Sequence, residues 1–226
     1  FLLNGPNMFS SYIAITPEVS TDIIEPLTVN AANIKKTTNY YISNSGNLPR
    51  RQKNNISLLT DELKKQENDQ FILTTDSFSY PDEFSTPAYS IPIALEGIFR
   101  VYQPINPKEY RENILKDTLP SHNYLVSKYQ KISNQLGIQK RYILNDIMAI
   151  FAAAQKKSDA ETLFVLGDLA IEDYSTTMLG YYFNGLGYEI TGNTKKALKN
   201  YERAYTYDPI DFVTKELILN KIESLK

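Results

Sequence analysis

The strand-forming segments of this sequence are confined to its first hundred residues, and this asymmetry strongly limits the folds that it can adopt. Short continuous apolar runs, each suited to a strand that is buried on both faces of a sheet, occur at residues 12–15, 39–43 and 71–75. The segment between the second and third runs repeats its apolar residues at helical spacing, from about residue 53 to residue 66. This strand–helix–strand order predicts a right-handed parallel crossover and hence an α/β fold.

Beyond residue 105 the strand-forming runs stop and helical periodicity takes over. A loop rich in Ser, Tyr and Pro at 76–87 leads into an amphipathic helix, whose predicted apolar face contains Ile91, Ala94, Leu95, Ile98 and Phe99. After it, Pro104 and Pro107 indicate a domain boundary. From residue 124 to residue 225 all segments have helical periodicity, apart from turns at 137, 192–193 and 208–209.

The predicted fold class is therefore α/β followed by all-α. We expect an α/β domain at residues 1–104, a linker with a bridging helix at 105–137 and a helical domain at 138–226. The first six residues look like the last turn of a helix that Gly5 and Pro6 end, so we expect that helix, and further parts of the fold, to begin upstream.

The helical half contains an internal repeat. Six residues match the small, aromatic and proline positions of a tetratricopeptide unit at their usual spacings, namely Gly185, Tyr188, Ala197, Tyr201, Ala204 and Pro209. A fainter copy lies 37 positions earlier, at Phe151, Ala160 and Phe164, with Gly167 in place of the second Ala. Small residues let two antiparallel helices approach closely, and the aromatic residues fill the gaps between them. The pattern predicts tetratricopeptide-like helical hairpins.

Composition excludes several classes of site and partner. The net charge is −2 and the basic residues are scattered, so a nucleic-acid partner is not expected. There is no cysteine, which rules out disulfides and thiolate metal sites. No apolar run approaches the length of a membrane span, and no motif indicates a cofactor or a metal. The sequence does not indicate a compartment.

Two stretches of the first hundred residues carry a family resemblance. In residues 2–17 a helix ends at a Pro-x-x-Phe element and leads into a strand closed by Thr-Pro, and residues 90–99 read Ser-Ile-Pro-Ile-Ala-Leu-Glu-Gly-Ile-Phe. In this order they resemble the C-terminal half of the esterase family of α/β-hydrolases that includes the enterochelin-esterase-like proteins. The resemblance implies that some members carry a tetratricopeptide-like helical tail, and residues 129–137 look like the bridge into it.

An esterase of this type needs a Ser nucleophile, a His that takes its proton and an acid that orients the His. The resemblance places the Ser upstream of residue 1, the acid after the second strand and the His after the third. The loop at 44–53 contains no Asp or Glu, and residues 76–80 contain no His. Catalytic activity is therefore left open by the sequence. The empty loops favour a non-catalytic binding or scaffolding module, with a protein or peptide partner on the helical domain. The alternative is the C-terminal part of an active serine esterase whose nucleophile lies upstream.

The remaining candidates are isolated polar residues. His122 is the single histidine and is considered as a displaced catalytic base, against a solvent-facing or helix-capping role. Three acidic residues follow or end the third strand, namely Asp76, Asp82 and Glu83. They are candidates for a metal site or an acid pair, and the alternative is a solvated loop. Three basic residues lie at the start of a predicted helix, namely Arg50, Arg51 and Lys53. They are candidates for an anion-binding site, and the alternative is an exposed turn.

Overall fold

The computed structural model describes residue 5 and residues 8–226. The chain divides into two compact units, the first formed by Phe1–Gln103 with Ile132–Ile138 and the second by Pro104–Lys131 with Gln139–Lys226. The predicted helix end at residues 1–6, and the start of the esterase-like stretch at residues 2–7, lie outside the described residues apart from Gly5.

The first unit is built on a parallel sheet with the order β1 (Ser11–Ile15), β2 (Thr38–Ser45) and β3 (Phe71–Phe78). The helices that connect or follow these strands are α1 (Ile24–Ala32), α2 (Arg50–Lys64) and α3 (Thr86–Ile98). The three predicted strands and the helix between the second and third are present, and the predicted parallel pairing is confirmed. The α1 helix was not predicted, although Ile24, Leu27 and Ala31 bury one side of it.

The two faces of this sheet differ in polarity because alternate residues of β2 point to opposite sides. Tyr40 and Ile42 face α1 and α2, and they lie in the same apolar core as Ile56, Leu59 and Leu63. Tyr41, Ser43 and Ser45 face the other side, where α3 contacts all three strands. The side of β2 that faces α3 is therefore more polar than the side that faces α1 and α2, and helices cover both faces of the sheet.

Two predictions about this unit need correction. β2 continues to Ser45 and β3 to Phe78, because the backbone pairing of these two strands extends into polar residues. The apolar face predicted for α3 is also wrong in part, since Ile91, Leu95 and Phe99 are each 43% exposed. The buried side of the helix instead consists of Thr86, Ser90, Ala94 and Ile98.

The second unit is helical, so the arrangement of the chain is α/β followed by all-α. A short α4 (Pro107–Glu109) continues into a π-helical turn at Tyr110–Ile114. The helix α5 spans His122–Leu136, and its residues from Ile132 onward belong to the first unit. The following helices are α6 (Leu144–Lys157), α7 (Ala160–Asp173), α8 (Leu179–Ile190), α9 (Thr194–Ala204) and α10 (Lys215–Ser224). Each of these helices from α6 onward packs against the next one along the chain. Among the described residues, every helix is too short or too polar to serve as a membrane span.

Candidate functional site

The carboxyl edge of the sheet is where the family resemblance expects the acid and the base. The loops that follow β2 and β3 meet there, and they are joined by hydrogen bonds. The Gly46 amide donates to the Phe78 carbonyl at 2.6 Å, the Ser45 hydroxyl donates to the Pro81 carbonyl, and the Asn47 side-chain amide donates to the Tyr80 carbonyl. A Cβ atom at residue 46 would overlap the Ser79 carbonyl, so only glycine fits there. The two loops form one closed edge.

The carboxylates near this edge do not converge on a common point. Asp76 lies within β3, whereas Asp82 in the following loop accepts hydrogen bonds from the backbone amides of Phe84 and Ser85. The Ser85 hydroxyl also donates to Asp82, and this contact holds the pKa of Asp82 below its ordinary value. Glu83 is exposed beside it. Among the described residues no group of acidic and histidine side chains has the arrangement of a metal site.

A buried polar cluster lies on the α3 side of the sheet. The Ser90 hydroxyl of α3 donates to the Ser43 hydroxyl of β2 at 2.9 Å, and both residues are fully buried. Burial raises the pKa of the neighbouring Tyr41, while the Ser90 hydroxyl opposes this rise and the Asp76 carboxylate adds to it. The Tyr41 hydroxyl and Oδ2 of Asp76 make no hydrogen bond within the described part of the chain. Since Ser43 and Ser90 cannot reach solvent, the cluster joins α3 to the sheet and cannot attack a substrate.

Sequence reasoning missed this cluster because its members are distant along the chain. The available signal was the alternation in β2, where Tyr41, Ser43 and Ser45 share one face. Two buried serines on this strand require partners, because an unpaired buried hydroxyl is costly. Ser90, 47 positions away from Ser43, supplies one of them.

His122 belongs to the second unit, where it begins α5. Its side chain is only 13% exposed, and its Nδ1 atom lies 3.1 Å from the Thr162 hydroxyl. Thr162 donates its single hydroxyl proton to Asp159 at 2.6 Å, so it must accept from His122, which places a proton on Nδ1. Thr162 is fully buried, so this Asp–Thr–His arrangement has no accessible nucleophile. It joins the starts of α5 and α7.

Asp159 is the N-cap of α7, since its carboxylate accepts from the Thr162 amide. Burial raises the pKa of Asp159, but the hydrogen bonds from Thr162 and Ser121 outweigh burial and leave this pKa below its ordinary value. The carboxylate is therefore stabilised in its ionised form. The contacts of this group are those of a helix cap.

The basic residues at the start of α2 have different surroundings. Arg50 and Arg51 are exposed, while the Lys53 ammonium donates to the Gly46 carbonyl at 2.9 Å and so supports the closed edge. A groove of about 280 Å³ beside Arg51 is also lined by Glu18. The acidic side chain offsets the positive charge that a bound anion would need.

The repeat residues of the helical unit lie mainly at contacts between α8 and its neighbours. Ala197, Tyr201 and Ala204 are fully buried on α9, and a Cβ atom at Gly185 would overlap the Tyr201 ring. The Tyr188 ring packs on Phe164 of α7, with centroids 4.8 Å apart. Pro209 is exposed after α9. Burial raises the pKa of Tyr201, whose hydroxyl makes no hydrogen bond to a described residue.

The solvent face of α9 is strongly basic. It carries the exposed side chains of Lys195, Lys196, Lys199 and Arg203. Lys196 lies 5.1 Å from the centre of the Tyr188 ring, and Arg203 lies 4.5 Å from that of Tyr181. None of the four cations forms an ion pair with a described residue.

Comparison with known proteins places the chain near one solved structure of unknown role. No protein-family model matches the sequence. No curated protein is significantly similar to it. The crystal structure of an uncharacterised protein from Capnocytophaga ochracea DSM 7271 is similar, with 26% identity and a TM-score of 0.87 over 96% of this chain. The match spans 61% of the length of that protein.

A second solved structure is more distant. It is an IroE-like serine hydrolase from Shewanella oneidensis, with 13% identity and a TM-score of 0.49. The match covers 76% of this chain and 54% of that protein. A TM-score of 0.49 is too low to assign the fold or the activity of that protein to this chain.

Proposed function

We propose that this chain is a non-catalytic, esterase-like module whose helical unit binds a protein partner. The parallel sheet supports the esterase-like part of the proposal, since the two loops expected to bear acid and base are neighbours at its carboxyl edge. These loops are bonded to each other through Gly46 and Ser45, and neither contains a histidine. We assign the sheet unit a scaffolding role.

The helical unit is proposed to consist of tetratricopeptide-like hairpins. The pair α8–α9 supports this, because small residues occupy its contact and Tyr201 fills the space beside Gly185. The pair α6–α7 precedes it in the chain, with Phe151 buried and Gly167 packed against Asn184 of α8. Stacked helix pairs of this kind present extended surfaces to partners.

The observation that carries the binding role is the basic solvent face of α9. Lys195, Lys199 and Arg203 follow one another at a spacing of four residues, and like charges at this spacing destabilise a helix by about 0.2–0.5 kcal/mol per pair. Glu202 is the one acidic side chain of this helix. The rings of Tyr188 and Tyr181 account for Lys196 and Arg203. Lys195 and Lys199 have no such contact with a described residue, and a partner of opposite charge would account for them.

The chemistry of the partner follows from the size of this face. Lys195 and Arg203 are eight residues apart, which is about 12 Å along a helix. Binding to duplex nucleic acid depends on the number of phosphates that Lys and Arg neutralise, and four cations on one short helix neutralise few. The net charge of −2 opposes such binding as well. We therefore propose an acidic peptide segment as the partner.

A fluorescent peptide of twelve glutamates tests the binding role, with affinity measured by anisotropy at low and at physiological salt. The double variant K195E/K199E should lower the affinity at least tenfold, because it reverses two charges of the face. K35E/K36E is the matched control, since it makes the same charge change on exposed residues of the first unit. Equal losses in the two variants would show that only net charge matters, and would defeat the proposal.

The non-catalytic role is tested with p-nitrophenyl acetate. The chain should release p-nitrophenol no faster than buffer, because the loops at the carboxyl edge contain no histidine to act as base and the resemblance places the nucleophilic Ser upstream of residue 1. Saturable turnover that is lost in His122→Ala would contradict this and would favour catalysis through the single histidine.

A further inference from the structure

A groove beside the start of α2 is lined by two opposite charges. It has a volume of about 280 Å³, and its lining comes from the loop after β1, at residues 18–20, and from residues 49–55. Glu18 of the loop and Arg51 of the helix both line it. Neither side chain forms an ion pair with a described residue. The groove therefore favours a ligand that carries both charges over a simple anion or cation.

Two amide side chains of α2 hold the loop in place. The Gln52 side-chain nitrogen donates to the Thr16 carbonyl at 3.1 Å, and the Asn55 side-chain nitrogen donates to the Val19 carbonyl at 2.7 Å. A carbonyl can only accept, so the nitrogen of each amide must face the loop. The side-chain oxygens of Gln52 and Asn55 make no hydrogen bond to a described residue, and both residues line the groove. With Glu18 they supply three acceptors.

The loop is also fixed at a strained residue. Thr16 has a φ of 43°, in the left-handed region that a β-branched residue rarely adopts. Its amide donates to the Ser43 carbonyl of β2 at 3.0 Å, while its carbonyl accepts from Gln52 of α2. A strained backbone persists only where the surrounding structure fixes it. The loop side of the groove is therefore formed before a ligand arrives, which lowers the cost of binding.

We propose that this groove binds a free α-amino acid with an apolar side chain. Such a ligand carries a carboxylate and a primary ammonium side by side. The guanidinium fork of Arg51 matches the two oxygens of the carboxylate. An ammonium has three N–H donors, which match the Glu18 carboxylate and the side-chain oxygens of Gln52 and Asn55.

The size and the lining of the groove select among zwitterionic ligands. Pockets for drug-sized ligands typically measure about 300–1,000 Å³, so a groove of about 280 Å³ suits a smaller molecule. A quaternary ammonium has no N–H and would leave the acceptors without partners, which disfavours it. Val19, which is 5% exposed, and Pro49 supply the apolar part of the lining. A side chain such as that of leucine can contact both.

Titration of the chain with L-leucine, followed by nuclear magnetic resonance, tests the proposal. Leucine should shift the amide signals of Val19, Gln52 and Asn55, with a Kd of about 1 mM or below. Isocaproate is leucine without the ammonium, and isoamylamine is leucine without the carboxylate. Each should bind at least about tenfold more weakly, because one charge of the groove then stays without its partner.

Two variants test the charged residues separately. R51Q and E18Q should each weaken leucine binding at least about tenfold. R50Q is the matched control for R51Q, since it removes the same charge from an adjacent exposed residue that does not line the groove. E25Q is the matched control for E18Q, because Glu25 is exposed on α1. Both controls should retain the affinity of the unchanged chain, and circular dichroism checks the folding of all four variants.

Three results would overturn the proposal. The first is the absence of shifts at these amides with leucine at about 10 mM, which would show that no amino acid binds there. The second is equal binding of leucine and isocaproate, which would identify a simple anion site. The third is an equal loss in each variant and its control, which would show that only net charge matters.

Discussion

Two helices of this molecule, α3 and α8, are apolar on most sides, and of these two the described residues enclose only α8. α8 buries seven of its twelve residues between α7 and α9, whereas α3 buries four of thirteen against the sheet. The difference lies in their glycines. Gly180, Gly185 and Gly187 each bring α8 so close to a neighbour that a Cβ atom would overlap it, while Gly97 of α3 has room around it. Apolar side chains on most sides of a helix indicate that it is favoured to pack against something. Glycines in close contact with a neighbouring helix indicate that it packs within the same chain.

The largest expected effect concerns the buried side chains of the two helices. Phe183 of α8 is fully buried, so Phe183→Ala should lower the free energy of unfolding by about 3–5 kcal/mol through lost burial and a cavity. Leu95→Ala on α3 should cost about 1 kcal/mol or less, because Leu95 is already 43% exposed. Urea unfolding measures both variants. Similar losses would show that α3 is as enclosed as α8.

Replacing a glycine by alanine should destabilise the protein in α8 and stabilise it in α3. Gly185→Ala forces a methyl group into the Tyr201 ring, which is buried and cannot move aside, so a loss of about 1–3 kcal/mol is expected. At Gly97 the nearest atom to a new Cβ is the Thr74 hydroxyl oxygen at 3.9 Å, so Gly97→Ala should stabilise the helix by about 0.5–1 kcal/mol. Denaturant midpoints with unchanged slopes report both. A destabilising Gly97→Ala would mean that α3 has a close neighbour on that side.

The smallest expected effect concerns the polar side of α3. Ser90→Ala leaves the Ser43 hydroxyl buried without its partner, at a cost of about 1 kcal/mol. The double variant S43A/S90A should cost less than Ser90→Ala alone, because it removes both polar groups. Thermal unfolding of S43A, S90A and the double variant, each compared with the unchanged chain, measures the difference. Additive losses would show that the two hydroxyls do not depend on each other.

Much of the fold could be predicted from local pattern. The three strands and α2 followed from apolar runs and helical spacing, since one buried face leaves a clear periodicity. The ends of β2 and β3 were missed because backbone pairing continues through Ser45 and Phe78 whatever the polarity of the side chains. α1 was missed although its buried residues have helical spacing, and the segment also contains Pro26 and several polar residues.

The features of the candidate site were harder to predict because they depend on tertiary partners. The sequence placed the two empty loops at neighbouring strands, but it did not predict the hydrogen bond between Ser45 and Pro81 that helps to close the edge. The buried side of α3 includes Thr86 and Ser90, whose burial depends on a sheet residue 47 positions from Ser90. Similarly, the environment of His122 is set by Thr162, 40 positions later. The tetratricopeptide-like assignment, the domain boundaries and the binding role stay predictions.

Hydroxyl-radical footprinting with mass spectrometry tests the comparison of the two helices most directly, because it measures the solvent exposure of individual side chains in the intact chain. We predict rapid oxidation of Ile91 and Leu95 on α3 and of Phe99 directly after it. We predict protection of Tyr182 and Phe183 on α8, which are 4% and 0% exposed. Intrinsic reactivity is corrected for by the rates in the unfolded chain. Equal protection of the two helices in a monomeric sample would contradict the claim that α3 presents an uncovered apolar stripe.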